Sequence, residues 1–148
     1  MAKTVRNIYY NQDTVASLVP AVRNADANGI GVDLRDFDGN LIVASVGVEG
    51  ITLSGANRIE LKVEESDDNT TFTAVANSDL LGFVAGGVAT GTFAIVDDNA
   101  EAPAIYSAQY IGAKQYIRVV LDIVGTHATG TPIAANVHRG FPHMAPVR

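Results

Sequence analysis

Apolar and charged side chains alternate strictly from Arg58 to Glu64, and this alternation constrains the fold more than any other feature of the sequence. The aliphatic residues are Ile59, Leu61 and Val63, and the intervening charged residues are Glu60, Lys62 and Glu64. Because successive side chains of an extended strand point to opposite faces, the pattern predicts a β-strand with one buried and one solvated face. The segment Tyr116–Val124 repeats it, with Ile117, Val119, Leu121 and Ile123 on one face.

Turn-forming residues separate further strand-like segments, which span residues 32–37, 41–46, 71–75, 92–96, 104–109 and 131–137. The pair Asp38-Gly39, between the first two, is typical of a tight hairpin. Residues 14–22 are also apolar, but Pro20 has no amide proton to donate, so we expect an edge strand or an ordered arm there. No segment predicts a helix long enough for a parallel crossover. We therefore predict an all-β chain that forms a single antiparallel β-sandwich, with a jelly roll as one specific form.

The chain divides into an N-terminal arm over residues 1–12, a β-sandwich domain over residues 13–137 and an extended C-terminal tail over residues 138–148. Pro142 and Pro146 disfavour regular structure in the tail. Both arms carry spaced apolar residues that are candidates for anchoring the protein to a partner: Tyr9, Tyr10, Phe141, Met144 and Val147. Such arms either bind to neighbouring subunits of an assembly or cover sheet edges of their own subunit, and the sequence leaves both interpretations open.

The composition excludes several classes of function. The net charge is −6, and the ten Lys and Arg residues are scattered, whereas binding to nucleic acid requires clustered basic side chains. The absence of cysteine excludes disulfides, zinc–thiolate sites and cysteine nucleophiles. No apolar run approaches the length of a membrane span, and the N-terminus lacks a hydrophobic signal segment. We therefore expect no nucleic-acid partner, no membrane partner and synthesis in the cytosol.

Groups of polar residues offer only partial matches to catalytic or metal sites. Residues 36–40 (DFDGN) begin like a calcium loop but lack its later glycine and glutamate. The densest acidic group lies in a turn-forming stretch that predicts a solvated hairpin tip: Glu64, Glu65, Asp67 and Asp68. The three imidazoles lack metal-binding spacing: His127, His138 and His143. We therefore expect no enzymatic activity, no metal and no cofactor.

Tyrosines suggest one binding alternative. A stacking platform for sugars would need aromatic side chains exposed together in a groove, and the candidates are Tyr106, Tyr110 and Tyr116, with Phe141. Tyrosines on strands also pack in cores or across strand pairs, and the chain has no tryptophan, the other common sugar-stacking residue.

Four segments carry a resemblance to a known family: residues 64–75 (EESDDNTTFTAV), 110–119 (YIGAKQYIRV), 125–133 (GTHATGTPI) and, upstream, 31–38 (GVDLRDFD). They resemble small head proteins of tailed bacteriophages, which are encoded near the major capsid protein and act as decoration or minor capsid components. The motifs are structural and carry no chemistry.

The resemblance implies a structural virion protein that is made in the host cytoplasm and binds the outer capsid surface as decoration or cement. Its expected partners are the major capsid protein and further copies of itself, with a homotrimer as the stoichiometry suggested by analogy. Two alternatives remain at this point. One is another virion component, in the tail, the head-tail connector or a head fibre; the other is a carbohydrate-binding β-sandwich.

Overall fold

The computed structural model describes residues 8–144 and contains only strands, turns and two short 3₁₀ segments in that range. The strands are β1 (Gln12–Arg23), β2 (Ala27–Asn28), β3 (Val32–Asp33), β4 (Phe37–Val46), β5 (Arg58–Ser66), β6 (Thr73–Ala74), β7 (Leu80–Leu81), β8 (Thr92–Val96), β9 (Ala104–Tyr110), β10 (Tyr116–Val124) and β11 (Thr131–Pro142). The 3₁₀ segments are Asn77–Asp79 and Asn99–Glu101. Among these residues no helix has the length and apolar character needed to cross a membrane.

Two antiparallel sheets pack against each other, which confirms the predicted β-sandwich. Sheet A has the strand order β1-β11-β4-β9-β7, and sheet B has the order β2-β10-β5-β6, with β3 also on β10 and β8 also on β5. The main pairs join the first strand to the last, then β2 and β3 to β10, β4 to β9, and β5 to β8. This nested pairing, with successive strands exchanged between two sheets, is the topology of a jelly roll.

The core lies between the two sheets and is aliphatic. Sheet B contributes the alternating residues that the sequence predicted, including Leu61 and Val119, which are fully buried. Sheet A contributes inward residues of its central strands, including Ile42 and Val137. The buried set is continuous across the sandwich, so the predicted dry faces of β5 and β10 are confirmed.

The other face of β5 is not solvated throughout, and the prediction is wrong at Glu60. This residue is fully buried, although the alternation places it on the outward face. Its carboxylate accepts hydrogen bonds from Arg58 Nε at 2.6 Å and from the Val88 amide at 2.7 Å. The segment between β7 and β8 therefore folds over this end of sheet B, a long-range contact that a local pattern does not reveal.

The hairpin predicted at Asp38-Gly39 is also wrong. Both residues lie inside β4, where Gly39 pairs with Gly140. The chain turns earlier, near Asp36, which has a positive φ of 71°. It turns there because β3 belongs to sheet B and β4 to sheet A, so the connection crosses the sandwich and does not fold back within one sheet.

The ends of the domain differ from the boundaries predicted from the sequence. Strand β11 runs to Pro142, so residues 138–142, which we assigned to the C-terminal tail, form part of sheet A. Pro142 takes the last position of the strand, where the missing amide proton interrupts little of the ladder. Strand β1 is an edge strand, as Pro20 predicted, with register shifts between Ala16 and Ala21.

Candidate functional site

The two ends of the described chain lie side by side at one end of sheet A. Gln12, at the start of β1, pairs with Gly140, near the end of β11. Four large apolar residues flank this pair in sequence and are all exposed: Tyr9, Tyr10, Phe141 and Met144. We call these four residues the terminal patch. Val147, the fifth predicted anchor, lies outside the described residues.

Phe141 has an unusual backbone within the terminal patch. Its φ is +55°, a left-handed conformation that costs an L-residue with a large side chain about 1–2 kcal/mol. The side chain is nevertheless 77% exposed, so burial within the subunit does not offset that cost. A Cβ built on Gly39 would meet the Phe141 ring at 2.8 Å, so glycine at position 39 leaves room for the ring.

A shallow cavity of about 450 Å³ adjoins Phe141. Its lining combines aliphatic, amide and imidazole groups, without Asp, Glu, Lys or Arg: Gln12, Gly39, Asn40, Leu41, Gln109, His138, Gly140 and Phe141. An exposed aromatic ring beside an uncharged cavity is an arrangement typical of protein–protein contact sites.

The outward face of sheet A carries no Asp, Glu, Lys or Arg across four strands. The register and the alternation of burial place the following side chains there: Thr14, Ala16, Leu41, Val43, Ser45, Ile105, Ser107, Gln109, Pro132, Ala134, Asn136 and His138. We call this surface the uncharged face. Our sequence analysis missed it. The signal is present in the sequence, as uncharged residues at alternate positions of four segments, but it is visible only once those segments are known to be neighbours.

The outward face of sheet B has the opposite character, because its ionic groups pair with one another. Glu64 accepts from Arg118 Nη2 at 2.6 Å, and Lys62 Nζ lies 3.0 Å from Asp122. The Arg118 guanidinium also stacks 4.2 Å above the Phe72 ring. Each of these four ionic groups on β5 and β10 already has a partner of opposite charge within the subunit.

The acidic group at the β5–β6 turn is held internally. Asp68 accepts hydrogen bonds from the amides of Thr71 and Thr70, each at 2.8 Å, and from the Ser66 hydroxyl. These donors lower the pKa of the Asp68 carboxyl to about 2. Asp67 forms an ion pair with Lys114. The carboxylates stabilise the turn and do not converge on a common point.

Glu65, the remaining carboxylate of that group, links the two sheets. It accepts a hydrogen bond from the Tyr110 hydroxyl at 2.5 Å, and the same hydroxyl accepts from the Lys114 amide at 2.9 Å. Burial and the neighbouring Glu65 raise the pKa of this hydroxyl. Tyr110 therefore joins β9 to the end of β5 through this hydrogen bond.

The predicted metal candidates are not brought together. Within residues 8–144 no group of three or more His, Asp or Glu side chains could hold a metal ion. Asp38 pairs with His143 at 2.8 Å, and Asn40 hydrogen-bonds the backbone of Tyr110, so the calcium-like segment does not converge. His127 is buried and its Nε2 lies 3.1 Å from the Val124 carbonyl oxygen. The Thr14 hydroxyl contacts His138 Nδ1 at 2.9 Å.

The three tyrosines do not form a common groove. Tyr110 is buried, and Tyr106 is half-buried with its hydroxyl donating to the Glu101 carbonyl oxygen at 2.7 Å. Tyr116 lies on β10, in the other sheet. The exposure that would favour a sugar-stacking platform is therefore not present in these residues.

Comparisons with known proteins provide little further constraint. No protein-family model matches the chain, and no curated protein matches it. Among solved structures, the chain is similar to one from the structure of infectious bursal disease virus, Gx strain, with 12% sequence identity and a TM-score of 0.28. The match covers 91% of this chain but only 34% of that one, so the chain spans about a third of the length of that viral protein.

Proposed function

We propose that this chain is a structural protein of a tailed-bacteriophage virion, which binds the outer surface of the capsid as a decoration protein and stabilises the head. The observation that carries the proposal is the terminal patch, where four exposed apolar residues flank one strand pair. The resemblance of residues 64–75, 110–119 and 125–133 to phage head proteins supplies the identity of the partner. The jelly-roll fold is compatible with this role but hosts many others.

Phe141 gives the proposal its physical basis. A side chain that is 77% exposed and held by a left-handed backbone gains free energy only when a partner removes its ring from water. Aromatic residues of this kind dominate the energetics of protein interfaces. We therefore assign Phe141 as the main anchor of the terminal patch on the major capsid protein, with Tyr9, Tyr10 and Met144 around it.

Binding across the joints between capsid subunits stabilises a head because the bound protein favours the assembled shell over its separated subunits. Each contact can be weak, since the stabilising contributions of many copies on one shell add up. The chain needs no reaction chemistry for this role. The trimeric stoichiometry that the resemblance suggests remains a prediction.

The test is co-sedimentation of the purified chain with capsid shells that lack it. The wild-type chain is expected to bind saturably. Phe141→Gly removes the ring at a position whose positive φ glycine adopts without strain, and it is expected to weaken binding by about 10- to 100-fold. The matched control is Val48→Gly, which removes a residue that is 67% exposed and follows the opposite end of β4.

The outcomes are distinct. No binding by the wild-type chain would overturn the decoration role and favour a tail, connector or head-fibre component. Equal binding by wild-type and Phe141→Gly chains would retain the capsid role but reject the terminal patch as the docking site. Deletion of residues 138–148 is a poor test, because it removes part of β11, which is a central strand.

A further inference from the structure

The geometry points to a second interaction surface: we propose that the uncharged face of sheet A pairs with the uncharged face of a second copy of this chain. This surface shares none of the four residues of the terminal patch but borders it, because Leu41, Gln109 and His138 also line the cavity beside Phe141. Self-association through it does not depend on whether the terminal patch docks on a capsid.

Charge is the first argument for a second copy. Each chain has a net charge of −6, so two copies repel each other, and the repulsion is weakest where neither copy presents a carboxylate. The outward face of sheet B presents several ionic groups on β5 and β10. The uncharged face offers none across β1, β4, β9 and β11, so two copies can approach there without burying an unpaired charge.

The size of the surface is the second argument. Four strands about 4.8 Å apart, with ten residues in β4 at about 3.4 Å per residue, present roughly 650 Å². A stable protein interface buries roughly 800 Å² on each partner, so the uncharged face and its rim approach the required area. Two such sheets pack face to face about 10 Å apart, as in the interior of a sandwich.

The shape of the surface, with a projecting side chain beside a cavity, is the third argument. Ile105 is 65% exposed and stands at the edge of a cavity of about 380 Å³. The rest of the lining is apolar or small and contains no charged side chain: Pro20, Ala21, Ser45, Val46, Gly47, Pro103, Ala104, Pro132, Ile133 and Ala134. A two-fold contact requires a projection and its recess on the same patch, and Ile105 beside this cavity meets that requirement.

Sedimentation equilibrium of the full chain, from micromolar to millimolar concentration, tests the proposal. The expected mass rises from that of one 15.5 kDa chain to twice that value, whereas a rise to three times that value would favour the homotrimer that the resemblance suggests and overturn the two-fold contact. Ile105→Glu places a carboxylate in the contact and is expected to weaken association by about 100-fold or more. Ile30→Glu is the matched control, because Ile30 is 60% exposed but lies between β2 and β3 of sheet B, and its association should equal that of wild type.

Salt provides an independent readout. Added salt screens the repulsion between two acidic copies, so association through an uncharged face should strengthen or stay constant as ionic strength rises. Circular dichroism of both variants confirms that they are folded. A single-chain mass at every concentration would overturn the proposal. So would association that Ile105→Glu leaves intact, or that salt abolishes.

Discussion

Replacement of the buried Glu60 by Gln tests whether the loop between β7 and β8 is fixed by one carboxylate. Glutamine preserves the volume of the side chain but removes its charge, and it presents one oxygen where the carboxylate presents two. Arg58 Nε and the Val88 amide, at 2.6 and 2.7 Å from the Glu60 oxygens, are both donors, so one of them loses its acceptor. The Arg58 guanidinium also loses its counter-ion in a largely buried setting.

The expected cost follows from these losses. A hydrogen bond to a charged group contributes about 1.5–3 kcal/mol, and an orphaned buried donor costs about 1–3 kcal/mol. Together they predict a loss of about 3 kcal/mol, within the range measured when one partner of a buried ion pair is removed. For a chain of this length, the midpoint of thermal unfolding should fall by about 6–12 °C. Urea denaturation gives the free energy directly.

Asp38→Asn is the matched control for loss of a carboxylate. Asp38 is 73% exposed where it contacts His143 Nε2, so its replacement should change stability by less than about 0.5 kcal/mol. Hydrogen exchange at the Val88 amide should accelerate in Glu60→Gln and not in Asp38→Asn. A cost below about 1 kcal/mol for Glu60→Gln would refute the reasoning, because the carboxylate would then not be the group that holds the loop.

Three further predictions concern the turns and the terminal patch. The Asp68 carboxyl should titrate by NMR with a midpoint of about 2. Because its pKa is lowered on folding, its contribution to stability is present above the unfolded pKa and is lost as the pH falls toward 2. A midpoint near 4 would contradict the turn geometry. Phe141→Gly should leave the free energy of unfolding unchanged within about 1 kcal/mol, or raise it, because glycine relieves the left-handed strain; a large loss by urea denaturation would show that the ring stabilises the subunit. Gly91→Ala should cost at least about 2 kcal/mol, because its Cβ would lie 2.8 Å from the Val63 carbonyl oxygen at a φ of +75°, whereas Gly86→Ala, which meets open space, should cost less in the same assay.

Local patterns in the sequence were sufficient to predict most of the longer strands and the buried faces of β5 and β10. The alternation in β5 and β10 places aliphatic residues on one face, and those residues are the core. Turn-forming residues also predicted the limits of β8 and β9, because the conformational preferences of such residues are local. The edge position of β1 followed from the single chemical fact that Pro20 has no amide proton.

Long-range features could not be predicted in the same way. The nested pairing of β1 with β11 joins residues more than a hundred positions apart, and no periodicity encodes it. Glu60 appeared solvated because the loop that covers it comes from a distant segment. Asp38-Gly39 carries the composition of a hairpin, yet the sandwich places both residues inside β4. In each case tertiary context overrides a local preference.

The candidate surfaces show the same division. Tyr9, Tyr10, Phe141 and Met144 were identified from their spacing, and the structure places them exposed around one strand pair. The strain at Phe141 and the uncharged face were not predicted, because the first depends on a backbone angle and the second on which strands are neighbours.

Electron cryomicroscopy of capsid shells incubated with the purified chain tests the central claim most directly. The account predicts extra density on the outer shell surface at joints between capsid subunits, with the end of sheet A that carries Tyr9, Tyr10 and Phe141 against the shell. Phe141→Gly should lower the occupancy of that density at equal protein concentration. Shells without added density, or with density in which the terminal patch faces solvent, would contradict it.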